Sequence, residues 1–217
     1  MKFRKLGQAG PFVHPIGVGA MSFANFYGAT NEGESHAILH AAQDAGVTHI
    51  DTANVYGMGT SEAAIGSYFR ANPQAKTHFT IATKASIAPN PDGPGRVFDN
   101  SARHLESELD ASLKRLGVDA VDLFYVHRRD PKVPIEEVTQ TLADLVKSGK
   151  AKSFGFSEIA PSSLRRAQAV HPVAAVQSEY SLSTRSPEMG LVQTCRELGV
   201  ALVAFSPVGR SLLTDTP

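Results

Sequence analysis

One layout recurs four times along the chain: an amphipathic run closes on a glycine, and a short apolar run starts within a few residues. The segments read QDAGVTHIDTA, KRLGVDAVDLFYVH, KSGKAKSFGFSE and RELGVALVAFSP. Gly46, Gly117, Gly149 and Gly199 stand where a helix ends on a left-handed residue, which suits glycine because it has no Cβ to clash. Upstream, Ala102, Leu105, Leu109, Leu113 and Leu116 recur at steps of three or four, as do Ile135, Val138, Leu142 and Leu145, so each helix carries one apolar face. Downstream, runs such as VALVAF are continuously apolar, the mark of strands covered on both faces in a parallel sheet. Seven such strands are expected near 16–21, 48–53, 79–85, 121–127, 152–157, 173–178 and 200–206, joined as βαβ units.

Repeated βα units leave two architectures, an open doubly wound sheet or a closed (β/α)8 barrel. The open dinucleotide fold carries G-x-G-x-x-G at its first strand–helix turn. Here Gly17 and Gly19 match, but Ser22 occupies the third glycine's place and the helix starts only near Glu32. A TIM-type barrel is therefore expected. The opening FRKLGQAGPFVHPIG reads as an added hairpin turned at Gly7–Gly10, and SIAPNPDGPGRVFDN, residues 86–100, as a long irregular βα loop. With no linker visible, residues 1–217 read as a single domain.

Composition narrows the partners. Hydrophobic residues make up 42% and charged residues 19%, so a packed core is expected rather than disorder. Twenty-one basic residues balance twenty-one acidic ones, and no basic run is present, which argues against nucleic acid or a membrane surface as partner. The N-terminus has no apolar signal core, and the single cysteine, Cys195, fits a reducing compartment, so a cytoplasmic protein is expected. Scattered histidines and one cysteine offer no metal set.

In a barrel, chemistry gathers at the C-terminal ends of the strands. The second strand ends at Asp51 and its loop supplies Tyr56; the third ends at Lys84 and the fourth at His127. The fifth ends at Ser157 and Glu158, and the sixth carries Gln177. Each residue alone has a plain structural reading: a solvated lysine, a turn-capping aspartate, a packed tyrosine, a core histidine. Together they would converge on one mouth. A phenol with its ordinary pKa of about 10 is a poor acid at neutral pH. An adjacent ammonium stabilises the phenolate, and a carboxylate holds that ammonium charged, so the set reads as a general acid with its tuning shell.

These motifs resemble those of the aldo-keto reductase family. DTANVYG is similar to its D-T-A-x-x-Y-G, Thr83–Lys84 to its lysine strand, and DLFYVHRRDP to its histidine strand. GFSE, VQSEYS and FSPVGR follow in the order of its cofactor-holding segments. The resemblance implies NADPH-dependent reduction of a small carbonyl substrate, with Tyr56 as acid, Lys84 and Asp51 tuning it, and His127 orienting the carbonyl or relaying the proton. It also implies that Ser157, Glu158 and Gln177 grip the nicotinamide carboxamide, with Asp51 alongside, and that Phe205 stacks on the ring. Ser206, Pro207, Val208, Gly209 and Arg210 would follow the pyrophosphate, with Gly19, Ala20 and Met21 near the nicotinamide ribose.

Two departures accompany the resemblance. Glu158 stands where many members have Asn. The 217 residues end just after the seventh strand, so the eighth βα unit, with the 2′-phosphate site and the substrate loop of relatives, is expected to be missing. The alternative reading is a non-catalytic nicotinamide-binding regulatory subunit or an inactive remnant. Substrate identity and oligomeric state are not legible at this level.

Overall fold

The helices close where the glycines place them. In the computed structural model, which describes residues 2–8 and 10–215, Gly46, Gly117, Gly149 and Gly199 all adopt φ between +67° and +82°. The helices are α1 (Glu32–Asp44), α2 (Thr60–Ala71), the single turn α3 (Ala75–His78), α4 (Ala102–Leu116), α5 (Ile135–Lys147), α6 (Pro161–Val170) and α7 (Leu191–Leu198). Side-chain caps fix the starts of α1 and α4: Asn31 Oδ1 accepts from the Glu34 N–H at 3.0 Å, and Ser101 Oγ from the His104 N–H at 3.3 Å. Leu105, Leu109 and Leu116 of α4 and Ile135, Val138 and Leu142 of α5 are fully buried, each contributing about 1.5–3 kcal/mol by leaving water. Ala102 departs from the periodic face and is exposed at the start of α4.

The strands are β1 (Arg4–Lys5), β2 (Phe12–Val13), β3 (Val18–Gly19), β4 (His49–Asp51), β5 (Thr80–Ala85), β6 (Ile87–Pro89) and β7 (Arg96–Phe98). They continue with β8 (Leu123–Val126), β9 (Phe154–Ser157), β10 (Ala175–Glu179) and β11 (Ala201–Phe205). Seven of them form one parallel sheet in the order β11-β10-β9-β8-β5-β4-β3, with β3 and β11 at its edges. Chain order and spatial order agree along this sheet. The architecture is the expected α/β barrel type, here a curled parallel sheet that stops short of eight strands.

Side chains alternate between its two faces with period two. Ile81, Phe124, Val126, Phe154, Phe156 and Val176 pack outward among the helices. Ala82, Leu123, Tyr125 and Ala175 pack inward with Ala201 and Val203, and the hairpin's Leu6 and Val13 join them. The antiparallel pair β1–β2 is the hairpin that the sequence suggested, and its packing plugs one end of the barrel; Ala9 of its turn lies outside the described residues. The inward face is where a site can form.

Two expectations need correction. Residues 86–100 are not an irregular loop: β6 and β7 pair there as an antiparallel hairpin, with NPDGPG, residues 90–95, as its turn region. Pro- and Gly-rich composition hid a strand pair whose apolar positions, Ile87, Ala88, Val97 and Phe98, form no long run. The first barrel strand is also shorter than 16–21, because Ala20–Ala24 coil into a 3-10 turn. Ser61 Oγ donates to the Ala20 carbonyl at 2.7 Å, so that carbonyl is satisfied from α2 rather than by a neighbouring strand.

Gly155 shows how tight the interior is. A Cβ there would overlap the Ala175 carbonyl oxygen and press on the Tyr125 ring. Gly155→Ala is expected to destabilise the chain by about 3 kcal/mol, the upper range for overpacking a core, measured as a lower urea midpoint at unchanged m.

Candidate active site

Asp51, Lys84, Tyr56 and His127 meet at the C-terminal mouth of the sheet. Lys84 is fully buried, and its Nζ has an acceptor for each of its three protons. It donates to Asp51 Oδ1, to the Thr52 carbonyl at 2.8 Å and to Tyr56 Oη at 3.3 Å. Asp51 Oδ2 accepts from Gln177 Nε2 at 2.7 Å, so both carboxylate oxygens are engaged. The Tyr56 ring stands edge-on to His127 at 5.8 Å between centroids. Burial pulls the Lys84 ammonium toward neutrality, but Asp51 and Tyr56 overcome that and hold its pKa above the ordinary lysine value.

The loop from β4 into α2 carries Tyr56. Its N–H donates to the Ala53 carbonyl at 3.1 Å, and its own carbonyl accepts from the Ser61 N–H at 3.2 Å. Glu62, next along, is fully buried on α2. Its carboxylate accepts from Thr83 Oγ1 on the outward face of β5 at 2.5 Å and from Arg115 Nε of α4 at 2.6 Å. This ion pair fixes α2 against the strand that holds Lys84. Sequence reasoning missed it, although a carboxylate sharing an i, i+3, i+7 face with Ile65 and Phe69 was the available signal.

His127 is a neutral imidazole here. Burial first, then the charges of Lys84, Arg128 and Arg96, lower its pKa to about 2. Its Nδ1 is buried without a partner, which leaves Nε2 as the nitrogen available to the mouth. Arg128 Nη1 donates to the His127 carbonyl at 2.6 Å and to Ser157 Oγ at 3.0 Å. Ser86, buried at the exit of β5 with φ +119°, ties this end down: its Oγ accepts from the Arg128 N–H at 2.8 Å and donates to the Arg128 carbonyl at 2.9 Å. Asn100 Nδ2 donates to the same carbonyl at 3.0 Å. Ser86, Asn100 and Arg128 were not singled out from sequence, since only the fold brings their backbones together.

Tyr125 was also missed, though it shares the inward parity of His127. It is fully buried beneath the mouth, beside Asp51 and Gln177, with no well-aligned partner for its hydroxyl. Burial and the Asp51 charge raise its pKa well above the ordinary phenol value, so it stays protonated.

The remaining expected residues lie along the same rim. Ser157 ends β9, and Glu158 follows it, exposed, with φ +55° and Oε1 accepting from the Glu179 N–H at 2.9 Å and from Ser178 Oγ at 3.2 Å. Phe205 ends β11 half-buried, and Ser206, Pro207, Val208, Gly209 and Arg210 form turns beyond it, with the Gly209 N–H donating to the Ser206 carbonyl at 2.9 Å. Gly19 ends β3, exposed, and a Cβ added there would meet nothing within 4 Å; Ala20 and Met21 enter the 3-10 turn. The two expected backbone cradles therefore sit at opposite edges of the sheet, with the Asp51–Lys84–Tyr56–His127 cluster between them.

A curled parallel βα sheet carries an ion-paired lysine and a tyrosine at its C-terminal mouth, and the comparisons place that arrangement in a family. The sequence pattern of the aldo/keto reductase family matches residues 15–216, and the chain belongs to that family. It is 40% identical over 214 residues to aldo-keto reductase yakc [NADP(+)] of Schizosaccharomyces pombe, covering 97% of this chain and 62% of that one. Aldo-keto reductase str7 of Strobilurus tenacellus is 43% identical over 220 residues, with the same coverage. The holo form of aldo-keto reductase AKR11C1 from Bacillus halodurans superposes with a TM-score of 0.88 at 28% identity, covering all of this chain and 70% of that one. The chain thus spans about three fifths of the length of the curated relatives it matches.

The neutral His127 has a consequence for stability. Below about pH 6.5 the unfolded chain binds a proton on this imidazole that the folded state refuses until about pH 2, so stability falls as pH drops through that window. Between pH 7 and pH 5 this amounts to about 2 kcal/mol. Urea melts at those two pH values are expected to show His127→Gln losing that much less than the parent chain.

Proposed function

We propose that the protein is an NADPH-dependent carbonyl reductase that uses Tyr56 as its general acid. The observation that carries this reading is the three-way bonding of Lys84, which places one fixed ammonium against both Asp51 and the Tyr56 hydroxyl. The NADP(+) in the name of the yeast relative supports the cofactor assignment. The buried thiol of Cys195 is in keeping with a cytoplasmic setting. Among the described residues no helix is long and apolar enough to cross a membrane.

The residues present suit a nicotinamide. Ser157 Oγ accepts from Arg128, so its own proton is free to reach the carboxamide oxygen. Gln177 spends Nε2 on Asp51 and keeps Oε1 as an acceptor for the carboxamide NH2. Glu158 likewise commits one oxygen to β10 and keeps the other. Phe205 offers an aromatic face at the rim, and the open backbone at Gly19 leaves room for a ribose. When bound, the reduced cofactor supplies the hydride that goes to the carbonyl carbon.

The chain's own residues handle the oxygen. Lys84 donates to Tyr56 Oη and so occupies a lone pair, leaving the phenolic proton to point at the substrate. As negative charge develops on the carbonyl oxygen, Tyr56 transfers that proton, and the nearby ammonium stabilises the phenolate left behind. Neutral His127 presents an N–H toward the same oxygen and aligns it. The product is an alcohol, and Tyr56 regains its proton from solvent.

Loss of the reduced-nicotinamide absorbance with a panel of aldehydes and ketones is the direct assay. Tyr56→Phe is expected to lower kcat by 10²–10⁴-fold with little change in cofactor affinity. Equal turnover by parent and variant would remove Tyr56 from the role, and cofactor binding without turnover on any carbonyl would favour the regulatory-subunit reading. Glu158→Gln, which keeps an acceptor oxygen, is expected to shift cofactor affinity by about 1 kcal/mol in a fluorescence titration.

A further inference from the structure

The β6–β7 hairpin brings a charge to the mouth that the reduction chemistry does not use. Because β6 starts two residues after Ala85, the hairpin stands directly beyond the strand that holds Lys84. It faces the Tyr56 loop across a cavity of about 100 Å³, lined by Val55 and Met58 on one side and by Ile87, Pro89 and Arg96 on the other. Its walls are apolar apart from Arg96. The Arg96 guanidinium is exposed and has no ion pair and no hydrogen bond among the described residues. The neighbouring Arg128 meets only neutral acceptors, the His127 carbonyl and Ser157 Oγ. Two guanidinium charges therefore stand near His127 with no carboxylate assigned to either.

We propose that Arg96 is a substrate-specificity residue, and that the preferred substrates are aldehydes or ketones carrying a carboxylate at the end remote from the carbonyl. The proposal rests on the reductase reading above and names the substrate class for that site. The cavity receives a short apolar or aromatic stem between Met58 and Ile87, and the guanidinium closes on the carboxylate as a bidentate partner. Arg96 lies on the β5 side of the mouth, whereas the expected cofactor segments at Ser157, Gln177 and Ser206–Arg210 lie on β9, β10 and the end of β11. A role for Arg96 on the cofactor phosphates is thereby disfavoured. After burial, Lys84 and Arg128, the charge of Arg96 also helps to hold the His127 imidazole neutral, and the cavity it lines is flanked by Val55 and Met58 on either side of Tyr56 in sequence.

The test compares 4-carboxybenzaldehyde with benzaldehyde in the parent chain, Arg96→Met, Arg96→Lys and the distant control Arg103→Met. The parent is expected to favour the carboxylated aldehyde at least tenfold in kcat/KM, with the preference shrinking as salt rises. Arg96→Met should collapse that ratio tenfold or more, Arg96→Lys should keep part of it, and Arg103→Met should leave it as in the parent. A ratio near one in the parent, or one that Arg96→Met does not change, overturns the proposal. So does a loss of NADPH affinity in Arg96→Met equal to its loss of turnover. Saturation-transfer NMR with 4-carboxybenzyl alcohol and benzyl alcohol reads the subsite without turnover. Tighter binding of the acid that depends on Arg96 supports the anion subsite even if neither aldehyde is reduced, and equal binding of the two alcohols refutes it.

Discussion

The ion pair between Lys84 and Asp51 is the constraint around which the interior is organised. A fully buried ammonium loses several kcal/mol of hydration, and it is tolerated only when charge and hydrogen bonds replace the water. Here every proton on Nζ has an acceptor, and Gln177 occupies the far oxygen of the carboxylate. Taking away one partner of such a pair typically costs about 3–5 kcal/mol, since the other charge stays buried and uncompensated. The cost of holding the pair inside is matched by what it does at the mouth, where it presents one oriented N–H to Tyr56. Stability and the proposed chemistry thus share a single set of contacts.

That pair is held from both faces of the sheet. Below it, Tyr125 fills the barrel against Gly155, and the β1–β2 hairpin seals the end with Leu6 and Val13. Behind it, on the outward face of β5, Thr83 and Arg115 enclose the Glu62 carboxylate and lock α2 in place. Since α2 follows directly from the Tyr56 loop, the outer ion pair governs the position of the phenol without touching it. Polar groups on opposite faces of one strand, Lys84 inward and Thr83 outward, therefore support the same site.

The edges of the sheet differ from its centre. β8 and β9 are buried along their whole length, whereas β11 is half-buried with Ala204 exposed, and β3 has only two residues in the ladder. The expected cofactor-binding turns after β11 and the open backbone at Gly19 both lie at these edges. The central cluster is thus the rigid part of the site, and the regions proposed to hold the cofactor are the least enclosed. In the relatives, a further two fifths or so of the sequence has no counterpart in these 217 residues.

The sequence by itself determined the periodic elements and their order, because glycine stops and apolar spacing act over a few residues and need no partner. It also placed Asp51, Lys84 and His127 toward strand ends and Tyr56 on the loop that follows Asp51, since short apolar runs show where strands finish. What it could not supply were contacts between distant segments. The bond from Gln177 to Asp51 joins residues 126 apart, and Ser86 meets Arg128 only because two loops leave adjacent strands. The hairpin at 87–98 escaped notice because its pairing depends on where β5 ends, not on a strong local pattern. The neutral state of His127 is likewise a tertiary property: burial and three surrounding cations, none a near neighbour in sequence but Arg128, decide its charge. Local rules settle which residues face the mouth; only folding settles which charges they find there, because desolvation and Coulomb energies depend on through-space distance.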